Sequence, residues 1–249
     1  MKKAVVVLMT LAFASVSQAS WVDDFESYAD TAALSGPYTQ FYAEFPLPLD
    51  TTKGYLSDQS IVAGPNANSQ QRMWINIPGG PMKATDAAPI TFEFMVDIET
   101  VGWHTREYIE IRSYAGGAYD QGSLQELIAM GFTSSGVDTT KANYRVLTKT
   151  PTPSWGDFTD PAATRAAMAA AEWTKLTAII KTSTVEFYVN DVPDVTVSRN
   201  PAFEYFDSIV LGSGLSTAVT VWFDDLSVVP EPATLALLGL GALGLIRRR

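Results

Sequence analysis

The sequence predicts an all-β domain, a sandwich or barrel of antiparallel strands, and three observations carry that reading. Segments with apolar residues at every second position recur every ten to twenty residues, the period of a strand with one buried face. Gly, Pro, Asn and Asp fall between them, where turns need a positive or a fixed φ. Helical periodicity is confined to one short stretch. No internal repeat or low-complexity linker divides the 249-residue chain.

In chain order, strands are expected near residues 72–77, 90–99, 107–114, 127–133, 143–148, 173–182, 184–189, 195–199, 208–212 and 219–228. Within 90–99, alternation puts Ile90, Phe92, Phe94, Val96 and Ile98 on one face and Glu93, Asp97 and Glu99 on the other. Segment 184–190 repeats the pattern, with Val185, Phe187 and Val189 inward and Glu186, Tyr188 and Asn190 outward. The single helix is expected over 161–172. Asp160 is placed to cap its first turn, Pro161 occupies the favoured first position, and a run of alanines supplies propensity.

Neither end belongs to this domain. Lys2-Lys3, the apolar stretch from Ala4 to Ala14 and Ser17-Gln18-Ala19 form the charged, hydrophobic and small-residue regions of a secretory signal peptide, 1–19. Signal peptidase is the partner that this implies, and the mature chain starts near Ser20. At the other end stand Pro230-Glu231-Pro232, an apolar run from Ala233 to Ile246, and Arg247-Arg248-Arg249. Fourteen helical residues rise about 21 Å, short against roughly 30 Å of bilayer hydrocarbon. Gly239, Gly241 and Gly244 let another helix approach closely. The terminal arginines are expected to stay cytoplasmic, which places Pro230 and all that precedes it across the membrane. The two prolines hold the adjoining stretch extended, as a processing enzyme requires. A plain tail anchor is the alternative.

These residues, 230–249, resemble the PEP-CTERM sorting signal. The resemblance implies processing by an exosortase-type membrane transpeptidase of Gram-negative bacteria that make extracellular polysaccharide. The protein would be transiently in the inner membrane, then at the cell surface or outside the cell.

The intervening 20–229 is long enough to bury about 70% of its unfolded surface. The end segments take five of the 17 basic and one of the 27 acidic residues with them, leaving a net charge of −14. That disfavours nucleic acid and anionic lipid, both of which need a basic surface. It suits recruitment of divalent cations, or solubility through self-repulsion. The absence of cysteine removes disulfides and thiol chemistry.

Four segments of this domain carry a second resemblance. They are Asp24-Phe25-Glu26-Ser27-Tyr28, Trp173-x-Lys175-Leu176 running into Val185-Glu186-Phe187-Tyr188-Val189-Asn190-Asp191, Phe206-Asp207-Ser208-Ile209-Val210-Leu211-Gly212, and Val221-Trp222-Phe223-Asp224-Asp225-Leu226-Ser227-Val228. In this order the domain resembles a concanavalin A-like (laminin-G-like) jelly roll. It departs from the pattern in the hairpin after Val189, where Asn190-Asp191-Val192-Pro193 stands in place of Asp-Gly. The resemblance implies a two-sheet sandwich whose concave face or rim meets carbohydrate, sometimes beside calcium, with lectins, glycosidases and adhesion modules among its members.

The candidate sites follow from residue chemistry. If the first and last strands lie together, Asp23, Asp24 and Glu26 approach Asp224 and Asp225. Repulsion there is relieved by raised pKa values or by a cation, and calcium accepts mixed carboxylates and carbonyls where zinc would want His or Cys. The alternative is that these acids face solvent. Carbohydrate would use aromatic faces, and Trp74, Trp103, Tyr108, Tyr114, Tyr119 and Trp155 are the candidates, with core packing the alternative for each. His104 is the single histidine, and no nucleophile elbow accompanies it. Paired carboxylates for glycoside hydrolysis would be sought in Glu93, Asp97 and Glu99. Against the Glu-x-Asp-x-Glu or Glu-x-Asp-x-x-Glu pattern that the resemblance to the glycosidase members implies, aligning Asp97 and Glu99 leaves Met95 in the nucleophile's place. The expected function is a non-catalytic, exosortase-sorted envelope or matrix protein that binds extracellular polysaccharide. A structural matrix protein without glycan affinity and a glycoside hydrolase are the alternatives.

Overall fold

The strand alternation is realised in two antiparallel sheets packed face to face. A computed structural model describes residues 20–41, 46–64, 71–99, 106–133, 138, 140–148, 154–164, 173–213 and 219–231. The first sheet runs in the order β14 (Val192–Ser198), β13 (Thr184–Val189), β12 (Thr174–Ile180), β7 (Ile90–Ile98), β17 (Val221–Pro230), β4 (Ser60–Ala63) and β3 (Leu49–Asp50), and β1 (Trp21–Asp23) also pairs with β17. The second runs β11 (Ser154–Asp157), β10 (Asn143–Thr148), β9 (Leu124–Thr133), β8 (Arg106–Tyr114), β16 (Ser208–Ser213), β5 (Arg72–Asn76) and β2 (Thr39–Gln40). A small ribbon joins β15 (Tyr205–Phe206) to β6 (Met82–Lys83).

The apolar faces read from the sequence form the core between the layers. Ile90, Phe92, Phe94, Val96 and Ile98 of β7 and Val185, Phe187 and Val189 of β13 are all buried against Met73, Ile109, Ile111, Ile128, Met130, Phe132, Ile209 and Leu211 of the second sheet. Helix is minor. α1 (Thr31–Leu34) begins at Asp30, whose Oδ1 accepts the Ala33 N–H at 2.8 Å. The helix expected from 161 is described only as a 3₁₀ turn, Pro161–Ala163, with Asp160 Oδ1 accepting the Ala162 N–H at 2.6 Å. Its remainder, 165–172, lies outside the described residues.

Three backbone features set the register. The β13–β14 hairpin turns on Asn190 and Asp191 with φ 49° and 66°, the positive pair that a two-residue type I′ turn demands. Within β17 the register shifts between Asp224 and Ser227, and Asp225 takes φ 46°, so a bulge splits the strand into two segments. The N-terminal segment pairs with β4 and the C-terminal segment with β1, in the register Trp21↔Val228, Val22↔Ser227 and Asp23↔Leu226. The first and last strands do lie together.

Candidate functional site: an arginine-lined cleft on the second sheet

With Ile109 and Ile111 turned into the core, alternation along β8 sends Arg106, Tyr108, Glu110, Arg112 and Tyr114 to the outer face of the second sheet. The registers extend this face sideways. Trp74 on β5 is opposite Val210 of β16, which is opposite Glu110, then Ala129 of β9, Arg145 of β10 and Trp155 of β11. A second buried cluster of Tyr108, Leu127 and Ala129, flanked by Leu124, Leu147 and Trp155, floors this face. Above it opens a cleft of about 330 Å³, lined also by Phe41, Arg72, Arg106, Glu110, Arg112, Gln121 and Arg145.

Glu110 is the centre of the charge pattern. Arg112 Nε and Nη2 donate to its Oε2 at 2.6 and 2.5 Å, and Arg72 Nη2 lies 3.6 Å from its Oε1. Burial alone would raise the Glu110 carboxyl, but Arg112 and Arg72, with Arg145 behind them, outweigh it and hold the pKa below the ordinary value. Arg112 Nη1 also donates to Tyr114 Oη at 2.8 Å. Tyr114 itself is pushed up to about 12 by burial, against the opposing pull of Arg112. Arg145 stacks over Trp155 with its guanidinium carbon 4.5 Å from the ring centre. Its Nε is buried without an acceptor among the described residues.

Aromatic rings close both ends. Trp155 and Tyr108 meet with ring centres 5.2 Å apart. At the other end Tyr119 stacks on Trp74 at 4.3 Å and takes Phe41 and Tyr114 on its edges at 5.4 and 5.1 Å. Five of the six aromatic candidates therefore share one face. Tyr108 and Tyr114 are almost fully buried, and of the two it is the Tyr108 ring that floors the cleft, while Trp74, Tyr119 and Trp155 are half-buried. Trp103 and His104 lie outside the described residues. The arginines were not singled out by sequence reasoning. The alternate spacing of Arg106, Tyr108, Glu110, Arg112 and Tyr114 was a signal for one strand's share, but the approach of Arg72 and Arg145 depends on strand order.

Pairing of β1 with β17 also brings the terminal acids toward one another, in different roles. Asp23 is buried, its Oδ1 accepting the Phe25 N–H at 2.9 Å and its Oδ2 accepting the Tyr28 and Tyr38 hydroxyls at 2.7 and 2.8 Å. Asp224 Oδ2 accepts the Tyr55 N–H at 2.6 Å and the Ser57 hydroxyl at 3.3 Å, while Oδ1 accepts the Asp225 N–H at 2.8 Å. Burial raises its pKa to about 6. Glu26 Oε1 accepts the Gln59 N–H at 2.9 Å and Asp24 Oδ1 the Glu26 N–H at 3.2 Å. Burial first, then the charges of Asp24, Glu26 and Glu93, raise Asp225. Among the described residues, no group of three or more acidic side chains is arranged to hold a metal ion.

The acids weighed for hydrolysis sit on the first sheet, away from this cleft. Glu93 is 3.2 Å from Lys175 Nζ and Asp97 is 2.8 Å from Lys53 Nζ. A second opening of about 370 Å³ is lined by Ser113, Tyr114, Gln125, Phe203 and Asp207 among others. There Asp207 already accepts the Tyr114 N–H at 2.7 Å and the Ser208 hydroxyl at 2.6 Å.

Comparison with known proteins divides in the same way as the chain. Residues 228–249 match the PEP-CTERM protein-sorting motif. No curated protein sequence matches the chain. Its fold is similar to the globular domain of T. cruzi calreticulin, at 11% identity and TM-score 0.57, over 91% of this chain and 94% of that one. It is also similar to a glycoside hydrolase family 16 endo-glucanase from Bacteroides ovatus, at 10% identity and TM-score 0.53, over 84% and 99%. The Crh5 transglycosylase gives 10% identity and TM-score 0.54, over 86% and 85%. The fold is a concanavalin A-like jelly-roll sandwich.

Proposed function

We propose that this protein is a non-catalytic carbohydrate-binding module, delivered by its sorting motif to the envelope or extracellular matrix, and that the cleft on the second sheet is its binding site. The sorting motif implies a secreted protein with a C-terminal membrane-anchoring signal processed by an exosortase-type enzyme. The observation that carries the binding reading is the cleft itself, a row of polar side chains held between two aromatic groups. Sugar rings present apolar C–H patches to aromatic faces and hydroxyls to planar polar groups, so this combination suits them. Two proteins of similar fold are an endo-glucanase and a transglycosylase, which supports glycan contact and does not by itself assign it.

The cleft supports binding over turnover. Retaining glycosidases need two carboxyls about 5 Å apart, one of them protonated at the working pH. Among the described lining residues Glu110 is the one carboxylate, and its arginines hold it ionised.

The test is retention of the full-length protein, purified in mild detergent, on immobilised and insoluble polysaccharides. Retention without release of reducing sugar is expected, and Trp155→Ala is expected to weaken it about tenfold or more at unchanged melting temperature, as loss of an aromatic anchor does. Chelation is expected to leave retention unchanged, because Asp23 and Asp224 commit their oxygens to protein donors. Failure to bind any polysaccharide would overturn the reading in favour of a structural matrix protein.

A further inference from the structure

Twelve basic residues lie between the two end segments, six of them arginine, and four of those six line this one cleft. No lysine lines it. Among the described lining residues one carboxylate, Glu110, stands among the four guanidinium groups. Arg112 is matched by it through two donated hydrogen bonds, and Arg72 approaches its other oxygen at 3.6 Å. Arg106 and Arg145 are left over, and Arg145 holds a buried Nε with no acceptor among the described residues. The excess is felt within the site. Burial, with the neighbouring guanidiniums, keeps both Arg72 and Arg145 below the ordinary arginine value although Glu110 pulls the other way. A positive cleft in a domain of net charge −14 is a local requirement, since the surface as a whole repels anions.

We propose that the cleft selects a polysaccharide whose sugars carry an oxyanion, a uronate carboxylate or a sulfate ester, and that Arg145 and Arg106 hold that group while Trp155 packs against the ring. This rests on the carbohydrate reading above and names its ligand class. The guanidinium fork matches either oxyanion with two parallel N–H donors, which a lysine does not. Trp155 already orients Arg145 by stacking on it, so little side-chain freedom is lost on binding.

The experiment measures binding of the full-length protein in mild detergent to four soluble polymers: polygalacturonate, its fully methyl-esterified form, dextran sulfate and dextran. Polyglutamate serves as a non-sugar polyanion. The expected result is binding to polygalacturonate or dextran sulfate at least tenfold tighter than to the uncharged partner of the same backbone, weakening as salt is raised. The better of the two identifies the oxyanion. Arg145→Gln and, separately, Arg106→Gln are each expected to lower charged-polymer binding about tenfold, with the melting temperature confirming the fold. Lys175→Gln on the opposite sheet is expected to leave it unchanged. Equal binding to the neutral and charged forms would overturn this inference and keep the carbohydrate reading. Equal binding to polyglutamate would reduce the site to a charge trap and overturn the inference. Binding to none would overturn both.

Discussion

Asp23 shows how much of this structure is decided by single buried carboxylates. Its three accepted hydrogen bonds tie the backbone of Phe25, held at φ 58°, to the hydroxyls of Tyr28 and Tyr38. Asp23→Ala strands two phenolic donors and an N–H together, and about 2–4 kcal/mol of stability is expected to be lost in chemical denaturation. Tyr38→Phe removes a donor only, and a loss near 1 kcal/mol is expected. Asp224 behaves differently because burial raises its pKa to about 6 from an unfolded value of 3.8. Between those values the folded state binds the extra proton, so the contribution of Asp224 to stability grows as pH falls from about 7 toward 4. The gain is on the order of 2–3 kcal/mol. Asp224→Asn sacrifices the bond from Tyr55 and lowers stability at all pH values, but it should flatten this slope, which melts across pH 5–8 would measure. Asp207 and Asp225 are raised by burial in the same sense, so the comparison with wild type isolates the single residue.

At the scale of elements, the hairpin and one close strand approach carry the clearest tests. Asp191 takes φ 66° in the type I′ turn, where glycine is unstrained. Its ion pair with Lys175 at 2.9 Å is exposed on the Asp191 side and contributes little. Asp191→Gly is expected to stabilise the domain by about 0.5–1 kcal/mol. Gly131 is the opposite case, at φ 148° with an added Cβ only 2.1 Å from the Glu107 carbonyl oxygen. Gly131→Ala forces β9 away from β8 under the cleft, and several kcal/mol of destabilisation is expected in the same assay. The long strands were legible because each spans two or more turns of the period-two pattern and buries a whole face. β1, β2, β3, β4, β6, β11 and β15 were not, since two to four residues carry little or no alternation and their pairing is set by partners elsewhere in the chain. The same reason hid half of the site. Tyr108 and Tyr114 share one strand with Glu110 and Arg112 and could be read locally, whereas Arg72 and Arg145 join them only through the order β5-β16-β8-β9-β10.

For the whole molecule, the domain and its sorting motif meet without a linker. Pro230 is the last residue of β17, paired with Ile90, and the Glu231 N–H donates to the Pro89 carbonyl at 2.8 Å. The first two residues of Pro230-Glu231-Pro232 are thus half-buried at the sheet margin, and the motif from Pro232 onward lies outside the described residues. Processing by the exosortase-type enzyme is expected to leave a mature C-terminus near this point, which mass spectrometry of the exported protein would read.

The position of β17 also fixes when the domain is able to form. It is flanked by β7 on one side and by β4 and β1 on the other, so the first sheet lacks an interior strand until the last residues of the domain are in place. Pairing residue 21 with residue 228 closes almost the entire chain into one loop, the slow kind of contact to make. The first sheet is therefore expected to close only once the C-terminal strand is available. A chain stopped short of β17 leaves the first sheet split between β7 on one side and β4 on the other.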